Sequence, residues 1–294
     1  MNYELAAKNI RKELKDYIVK NNIKSLVMGI SGGIDSALCA ALAKPVCDEL
    51  NIPLIGRSIP IHTNKKDEIA RAQAIGDAFC TNFQEMDLTD IFAHVSKKIN
   101  FVPYIDIASP EEVHKDKIRD GNIKARLRMI YLYNLASLHE GMVLSTDNWT
   151  EYLLGFSTIM GDWGDFGMIQ FLWKTEVYEM SKWLCENELF FNDEKNKSLK
   201  SCIECQATDG LGISNTDLDQ LLPGWVGTSI DGYSVVDNKL KGFLEGAIPE
   251  INDPVVSRHE KTHFKRNWPI TISREKVTDS FSDLSNFTFF NPDK

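Results

Sequence analysis

The stretch LVMGISGGIDSALCAAL, residues 26–42, decides the fold of this chain. It begins with an apolar run, turns at Gly32 and Gly33, and continues as an apolar helical pattern, which predicts a strand, a tight turn and a helix. Glycines at the turn allow positive φ angles and let an anion approach the backbone closely. The first amides of the helix have no partner within it, and the helix dipole adds positive potential there. The stretch therefore predicts a cradle for phosphate.

Polar side chains of the same turn indicate which phosphate compound would bind. Ser31 and Ser36 add hydroxyl donors, whereas the Asp35 carboxylate would repel phosphate unless a cation lay between them. The turn also lacks the lysine of the common P-loop pattern G-x-x-x-x-G-K-[ST]. We therefore expect a magnesium–nucleotide complex here, the alternative being a serine–glycine turn in an unrelated α/β protein.

The composition and charge of the chain exclude some classes of protein. With 43% hydrophobic and 26% charged residues, the chain of 294 residues has the make-up of a globular protein. Its net charge of −9 argues against nucleic acid as a partner, because nucleic-acid binding needs basic surface. No apolar run approaches the roughly 18 residues that cross a membrane, and residues 1–5 do not resemble a signal peptide. We expect a cytoplasmic protein with no membrane partner.

The number and spacing of the cysteines also fit a cytoplasmic protein. Six cysteines in a chain of this length do not make a disulfide scaffold. Cys202 and Cys205 form a C-x-x-C pair, a spacing found in zinc and redox sites, but no second pair follows at the spacing of a zinc finger. We expect reduced thiols, with metal or redox chemistry as the alternative.

Strand and helix patterns alternate on both sides of the opening stretch. Predicted strands cover 25–30, 54–60, 82–86 and 141–145, and predicted helices cover 3–20, 37–50, 65–79, 89–99 and 117–140. This alternation predicts an α/β fold, a Rossmann-like parallel sheet with helices on both faces. Such sheets bind ligands at the carboxyl ends of their strands, so Ser31 and Thr146 should open on one edge.

The other segments carry weaker patterns. Residues 100–116 include two prolines and predict an irregular insertion, and short helices are predicted at 215–222 and 235–247. The polar run from Asp193 predicts a mobile loop over 193–210, and 270–294 predict an irregular C-terminal tail.

Two more groups of polar residues suit a nucleotide site. Arg119, Asn122 and Arg126 share one face of the long helix, although exposed arginines are often only solvated. Asp147 and Glu151 follow a predicted strand and suit magnesium and the triphosphate that it carries. Taken alone, two such carboxylates are explained by capping and turn formation more often than by metal binding.

Six motifs, taken in order, resemble those of the ammonia-dependent NAD synthetases, which belong to the N-type ATP pyrophosphatase superfamily. They are GISGGIDS at 29–36, GNIKARLRM at 121–129, TDNWTE at 146–151, GF at 155–156, KTEV at 174–177 and ATDGL at 207–211. The resemblance extends from about residue 5 to residue 272. It implies a single NAD synthetase-like domain over 1–294, with the adenine nucleotide alpha hydrolase-like fold.

The resemblance also implies roles for individual residues. Asp35 and Glu151 would hold Mg²⁺, Lys174 would stabilise the departing pyrophosphate, and Asp162 is our candidate for binding ammonium and accepting its proton. Contacts to ATP are implied for Gly29, Ser31, Gly32, Gly33, Asp35, Ser36, Thr146, Lys174 and Thr208. Contacts to the acceptor substrate are expected for Asn122, Arg126, Asp165 and Lys265.

The implied reaction converts nicotinic acid adenine dinucleotide (deamido-NAD), ATP and ammonia into NAD, AMP and pyrophosphate through an adenylated carboxylate. Family members are homodimers with the long helix at the interface, so a homodimer is expected. Only about 30 residues precede the glycine turn, too few for a glutaminase domain, so free ammonia is the expected nitrogen donor. An adenylate hydrolyses readily, and the 193–210 segment is the expected lid over it.

The sequence departs from the family pattern on the acceptor side. Ile159 stands where the family has a basic side chain, and Phe264 where it has a histidine. Phe166 aligns with a family aspartate, unless one residue is deleted and Asp165 takes that place. An adenylating amide ligase with a different carboxylate acceptor is therefore the first alternative. The second is a nucleotide-binding protein without turnover, which predicts tight ATP binding and no AMP.

Overall fold

The structure is a computed structural model, and it describes residues 1–62, 64–99, 109–208, 212, 216–266, 269–270 and 272. Within this part, the strands are β1 Leu26–Gly29, β2 Leu54–Ser58, β3 Asn82–Glu85, β4 Met142–Ser145 and β5 Phe166–Gly167. The helices are α1 Tyr3–Asn21, α2 Ile34–Leu50, α3 Lys66–Phe79, α4 Thr89–Ile99, α5 Pro110–Leu138, α6 Trp149–Leu154, α7 Lys174–Asn187, α8 Asp193–Glu204, α9 Leu218–Leu221, α10 Ser229–Leu244, α11 Pro254–Lys261 and α12 His263–Arg266.

The described strands form one parallel sheet in the order β3-β2-β1-β4-β5. Leu26 of β1 pairs with Leu54 on one side and with Met142 on the other. The chain adds β2 and β3 on one side of β1 and then returns to β4 on the opposite side, so the strand order switches between β1 and β4. Ligands of open α/β sheets bind in the crevice at such a switch point. The predicted α/β fold is confirmed.

Helices cover both faces because successive strand residues point to opposite sides of the sheet. Met28 faces α2 and packs in a cluster that includes Leu38. Val27 and Val143 belong to a second cluster on the other face, together with Leu132 of α5. No helix in the described part of the chain is both long and apolar enough to cross a bilayer.

The predicted loop over 193–210 is wrong for residues 193–204, because these residues form α8. Asn192 caps the helix by accepting a hydrogen bond from the backbone N–H of Lys195 at 3.1 Å. Leu199 and Cys202 are buried, so the polar run corresponds to the solvent face of an amphipathic helix. Residues 205–208 have no regular structure, and a lid role for this region stays a prediction.

The long helix begins at Pro110, earlier than predicted, so the last part of the expected insertion at 100–116 is also wrong. The reason is a capping box, in which Ser109 Oγ accepts from the N–H of Glu112 at 3.2 Å and the Glu112 carboxylate accepts from Ser109 N–H at 2.6 Å. Residues 100–108 lie outside the described part, as does most of the predicted tail at 270–294.

Candidate active site

The glycine turn lies where β1 ends, and its backbone requires glycine at one position. Gly32 has φ +80°, and a Cβ placed there would lie 2.2 Å from the Glu68 carbonyl oxygen of α3. The Gly32 carbonyl oxygen accepts a hydrogen bond from Arg71 Nε at 3.0 Å. The Ser31 and Ser36 hydroxyl oxygens lie 3.1 Å apart at the start of α2. Sheet, α3 and helix N-terminus therefore hold the turn in the form that suits phosphate.

The turn opens into a cavity of about 510 Å³ at the switch point of the sheet. This cavity is large enough for a small-molecule substrate. Most of the site residues predicted from the sequence line this cavity. They are Gly29, Ser31, Gly32, Gly33, Asp35, Ser36, Asn122, Thr146, Glu151, Asp162, Lys174, Thr208 and Lys265.

A buried ammonium lies between two of the carboxylates that line this cavity. Lys174 Nζ donates to Asp35 Oδ2 at 2.5 Å and to Glu151 Oε1 at 3.0 Å, and the Lys174 side chain is only 3% exposed. Burial opposes its charge, but attraction to Asp35 and Glu151 outweighs burial and raises the pKa of Lys174 well above its usual range. Burial and repulsion by Asp35 raise the pKa of Glu151 to about 7, against the attraction of Lys174.

The same two carboxylates fit Mg²⁺ brought in with a nucleotide. Both hydrogen-bond one nitrogen, so their oxygens converge on one point, and they are 17% and 18% exposed toward the cavity. Asn148 Nδ2 donates to the other Asp35 oxygen at 2.8 Å and orients that carboxylate. In the described residues no group of three or more metal-binding side chains forms a protein cage. One or two carboxylates completed by phosphate and water is the usual protein environment of Mg²⁺.

Two more carboxylates, Asp147 and Asp162, also line the cavity. Burial and the charges of Asp162 and Glu151 raise the pKa of Asp147 well above its usual range, although Ser145 Oγ donates to Asp147 at 2.7 Å. Burial also raises the pKa of Asp162, which accepts a hydrogen bond from Thr158 N–H. Carboxylates in this state suit a small cation or a proton transfer at neutral pH.

Arg126 and Asp165 do not line the cavity. Arg126 is exposed on α5 and donates to the Ile159 carbonyl oxygen at 3.1 Å. Asp165 accepts from the N–H of Val143 at 2.9 Å and from the Tyr133 hydroxyl at 3.1 Å, which ties it to β4 and α5. Their substrate contacts stay predictions.

Basic side chains frame the far end of the cavity. Lys265 Nζ donates to the carbonyl oxygens of Gly155 and Ser157 at 2.8 and 2.5 Å, and burial, with repulsion by Arg258, lowers the pKa of Lys265. Arg258 lies over the Phe156 ring, 3.7 Å from its centroid. This end supplies the local positive charge that an anionic substrate needs in a chain of net charge −9.

Sequence reasoning missed Arg57, Glu68, Arg71 and Arg128, which also line the cavity. Arg57 is buried at the end of β2, and its Nε has no hydrogen-bond partner. An arginine inside the apolar run LIGRSIPI was the available signal for it. Glu68 accepts from the Thr208 hydroxyl at 2.7 Å and so links α3 to the 205–208 segment. Nothing in the spacing of α3 distinguishes Glu68 from an exposed helix position.

The parallel sheet and the glycine turn at its switch point define an α/β protein with the adenine nucleotide alpha hydrolase-like fold, and the cavity at that turn suits a nucleotide. The NAD synthase family model matches residues 6–269, so the chain belongs to the NAD synthase family.

Named relatives agree with this assignment. The chain is 32% identical to an NH₃-dependent NAD⁺ synthetase of Mycoplasma genitalium over 256 residues, covering 86% of this chain and 94% of that protein. It is 35% identical to a protein of the same name from Methanococcoides burtonii over 249 residues, covering 84% of this chain and 79% of the relative.

Solved structures share the fold. An NMN synthetase from Francisella tularensis superposes with a TM-score of 0.71 at 23% identity, covering 92% of this chain and 99% of that one. An NH₃-dependent NAD synthetase from Campylobacter jejuni superposes with a TM-score of 0.64, also at 23% identity, covering 93% and 100%.

Proposed function

We propose that this protein is an ammonia-dependent NAD⁺ synthetase, which forms NAD, AMP and pyrophosphate from deamido-NAD, ATP and ammonia. The observation that carries the proposal is the Lys174 ammonium held between Asp35 and Glu151 beside the glycine turn. A chain that only bound ATP would have no need to bury three charged groups at the phosphates. The relatives of this name at 32% and 35% identity support the acceptor and the nitrogen donor.

In the first step the nicotinate carboxylate attacks the α-phosphorus of ATP. A carboxylate–phosphorus bond forms, and the bond from the α-phosphorus to the bridging oxygen breaks, so pyrophosphate leaves. Such a step needs charge neutralisation more than a protein nucleophile. The Lys174 ammonium and the amides of the glycine turn meet the negative charge of the leaving group. Mg²⁺ held by Asp35 and Glu151 would supply further positive charge there.

In the second step ammonia attacks the adenylated carbonyl carbon, and AMP leaves with the electrons of the broken carbon–oxygen bond. Ammonium must lose a proton before it attacks, and the amine nitrogen loses another as the amide forms. Asp162 lies in the cavity, and because burial raises its pKa it is a stronger base than an exposed carboxylate. We assign acceptance of the first proton to Asp162, and the second proton passes to solvent water as the amide forms. Asp147, whose pKa is raised by burial and by the Asp162 charge, is a further carboxyl group of the same cavity.

The direct test is a purified-protein assay that follows AMP, pyrophosphate and NAD together. We expect all three in equal amounts, only when ammonium, deamido-NAD and Mg·ATP are present. ADP and orthophosphate as products would contradict the proposed cleavage site. Absence of any product with active Mg·ATP binding would contradict the acceptor.

The proposed assembly is a homodimer through α5, in the cytoplasm. Ile130 and Leu138 on the outer face of α5 are 66% and 72% exposed, and Tyr133 is partly exposed between them. Exposed apolar side chains along one helix favour a protein partner over solvent. Light scattering on the purified chain should give twice the mass of 33.3 kDa, and Ile130→Glu should give the single mass.

A second candidate acceptor is nicotinic acid mononucleotide. Ile159 replaces the basic side chain of the family, and its carbonyl oxygen accepts from Arg126 on the protein surface. An acceptor without the second AMP half needs fewer basic partners, and the proposal would then be an NMN-forming amidation by the same chemistry. Comparison of kcat/KM for the two acceptors decides between them, and a preference of about 10-fold either way is a clear result.

A further inference from the structure

Asp237 is a fully buried carboxylate that lies outside the cavity but hydrogen-bonds the elements that carry the site. It occupies the middle of α10 and is 0% exposed. Its Oδ1 accepts from the Thr150 hydroxyl at 2.6 Å, and its Oδ2 accepts from the backbone N–H of Thr175 at 2.9 Å. Burying a carboxylate is costly unless such bonds offset the lost hydration. A buried charge at this place therefore needs an explanation.

The Thr150 hydroxyl extends this contact to Lys174. Its oxygen accepts a hydrogen bond from the backbone N–H of Lys174 at 2.8 Å. Lys174 and Thr175 are the first two residues of α7, and their amides have no partner within the helix. Trp173 at the N-cap has no side-chain oxygen to offer them. The start of α7 is thus held by acceptors from α6 and α10.

Helix α10 also contacts the other end of Lys174. The Lys174 Nζ lies 5.2 Å from the ring centroid of Tyr233, which is one helical turn before Asp237. Thr150 directly precedes Glu151 in α6. The two residues that hydrogen-bond Asp237 are therefore sequence neighbours of the ammonium and of one carboxylate of the site.

We propose that Asp237 is a positioning residue of the ATP site. Acting through Thr150, it sets where the Lys174 ammonium lies relative to the two carboxylates of the cavity. The inference rests on the proposed function in one respect, that Mg·ATP binds at this ammonium. A purely structural role predicts lower stability with unchanged Mg·ATP affinity in the folded protein. Positioning predicts weaker Mg·ATP binding at temperatures where the variant is fully folded.

The test uses calorimetric titration of the full chain with Mg·ATP, without acceptor. Asp237→Asn keeps the size of the side chain but cannot accept from both donors, and we expect affinity about 10-fold lower. Thr150→Val should have the same effect, whereas Thr150→Ser keeps the hydroxyl and should restore affinity to within about twofold. The double variant Asp237→Asn/Thr150→Val should bind no more weakly than either single variant, since both break one chain of contacts.

Asp253→Asn is the matched control. Asp253 is also buried and accepts backbone N–H groups at a helix start, those of Val255 and Val256 at 2.9 and 3.2 Å, but it does not hydrogen-bond α6 or α7. We expect its Mg·ATP affinity to equal that of the wild type. Wild-type affinity in Asp237→Asn, or an equal loss in Asp253→Asn, would overturn the proposal.

Failure of the proposed function gives a different result. If the wild type binds Mg·ATP but makes no amide from deamido-NAD, the acceptor assignment fails and the affinity series still decides the role of Asp237. If the wild type binds no Mg·ATP, both proposals are overturned together.

Discussion

The phosphate end of the cavity and the predicted acceptor side of the molecule differ in how their polar groups are held. At the phosphate end, Asp35 and Glu151 both accept hydrogen bonds from the buried Lys174 ammonium at the sheet edge. On the predicted acceptor side, outside the cavity lining, Arg126 is exposed on α5 and donates to the Ile159 carbonyl oxygen. Groups fixed by the sheet serve a reaction step common to the class, whereas groups on helix surfaces and loops can change with the acceptor.

The largest expected effect comes from the phosphate end. Lys174→Met leaves two carboxylates uncompensated and removes the cation that meets the leaving group, so we expect kcat to fall about 10³-fold. The rate of pyrophosphate release at saturating substrate concentrations measures kcat. Lys182→Met is the control, because Lys182 lies on the same helix but forms an exposed pair with Glu179. A Lys174→Met enzyme with near wild-type kcat would refute the role of the ammonium.

The next effect concerns Mg²⁺ and pH. Glu151 must lose its proton to bind a cation, and since its pKa is about 7, Mg²⁺ affinity should fall as the pH decreases below 7. Glu151→Gln should raise the Mg²⁺ concentration needed for half-maximal activity about 100-fold, and Mg²⁺ affinity should no longer change with pH. Glu179→Gln, at an exposed position, should change neither. Retention of the pH profile in Glu151→Gln would assign it to another group.

A smaller effect tests the acceptor end. Arg126→Ala removes a charged donor, so the KM for the acceptor should rise about 10-fold with kcat little changed. Arg119→Ala is the control on the same helix face, where Arg119 pairs with Asp116. An unchanged KM in Arg126→Ala would exclude this arginine from the acceptor site.

The position of Arg126 outside its own cavity makes a mixing experiment informative. If Arg126 serves the site of a second subunit, mixed dimers of Arg126→Ala and Lys174→Met contain one intact site. Mixing the two inactive or weakened variants should then restore activity. No gain on mixing would place the function of Arg126 within its own chain or remove it from binding.

The smallest expected effect sharpens the contrast between the two ends. Ile159→Lys returns the basic side chain of the family pattern and should lower the KM for deamido-NAD about threefold, because exposed ion pairs are weak. Met160→Lys, at the adjacent exposed position, is the matched control. Ile159→Lys should leave the KM for nicotinic acid mononucleotide unchanged if the added lysine contacts the AMP half of deamido-NAD, which the mononucleotide lacks.

Much of the fold was predictable because its signals are local. Alternating apolar runs and helical patterns predicted strands β1 to β4 and helices α1 to α5, and the glycine turn predicted the phosphate edge. Strand β5 and helices α7, α11 and α12 were not predicted. The errors also have local causes. Polar residues on the outer face of α8 resembled a loop, and the capping box at Ser109 started α5 before its apolar pattern became visible.

The candidate site divides in the same way. The motifs predicted four site residues that line one cavity: Asp35, Glu151, Asp162 and Lys174. Arg57 and Glu68 were not predicted as site residues, because Arg57 lies within a strand pattern and Glu68 within a helix pattern. Their presence in the cavity depends on strand order and helix packing, which a linear pattern does not contain.

By itself, the sequence determined the chemical groups of this protein and the local elements that carry them: a strand, a glycine turn, a helix start and carboxylates after a later strand. Only the tertiary structure decided which groups meet. The return of the chain to β4 beside β1 brings Asp35 and Glu151 to one ammonium, although they are far apart in the chain. Burial then sets the charge states, because a pKa depends on the solvent and charges around a group and not on its neighbours in sequence.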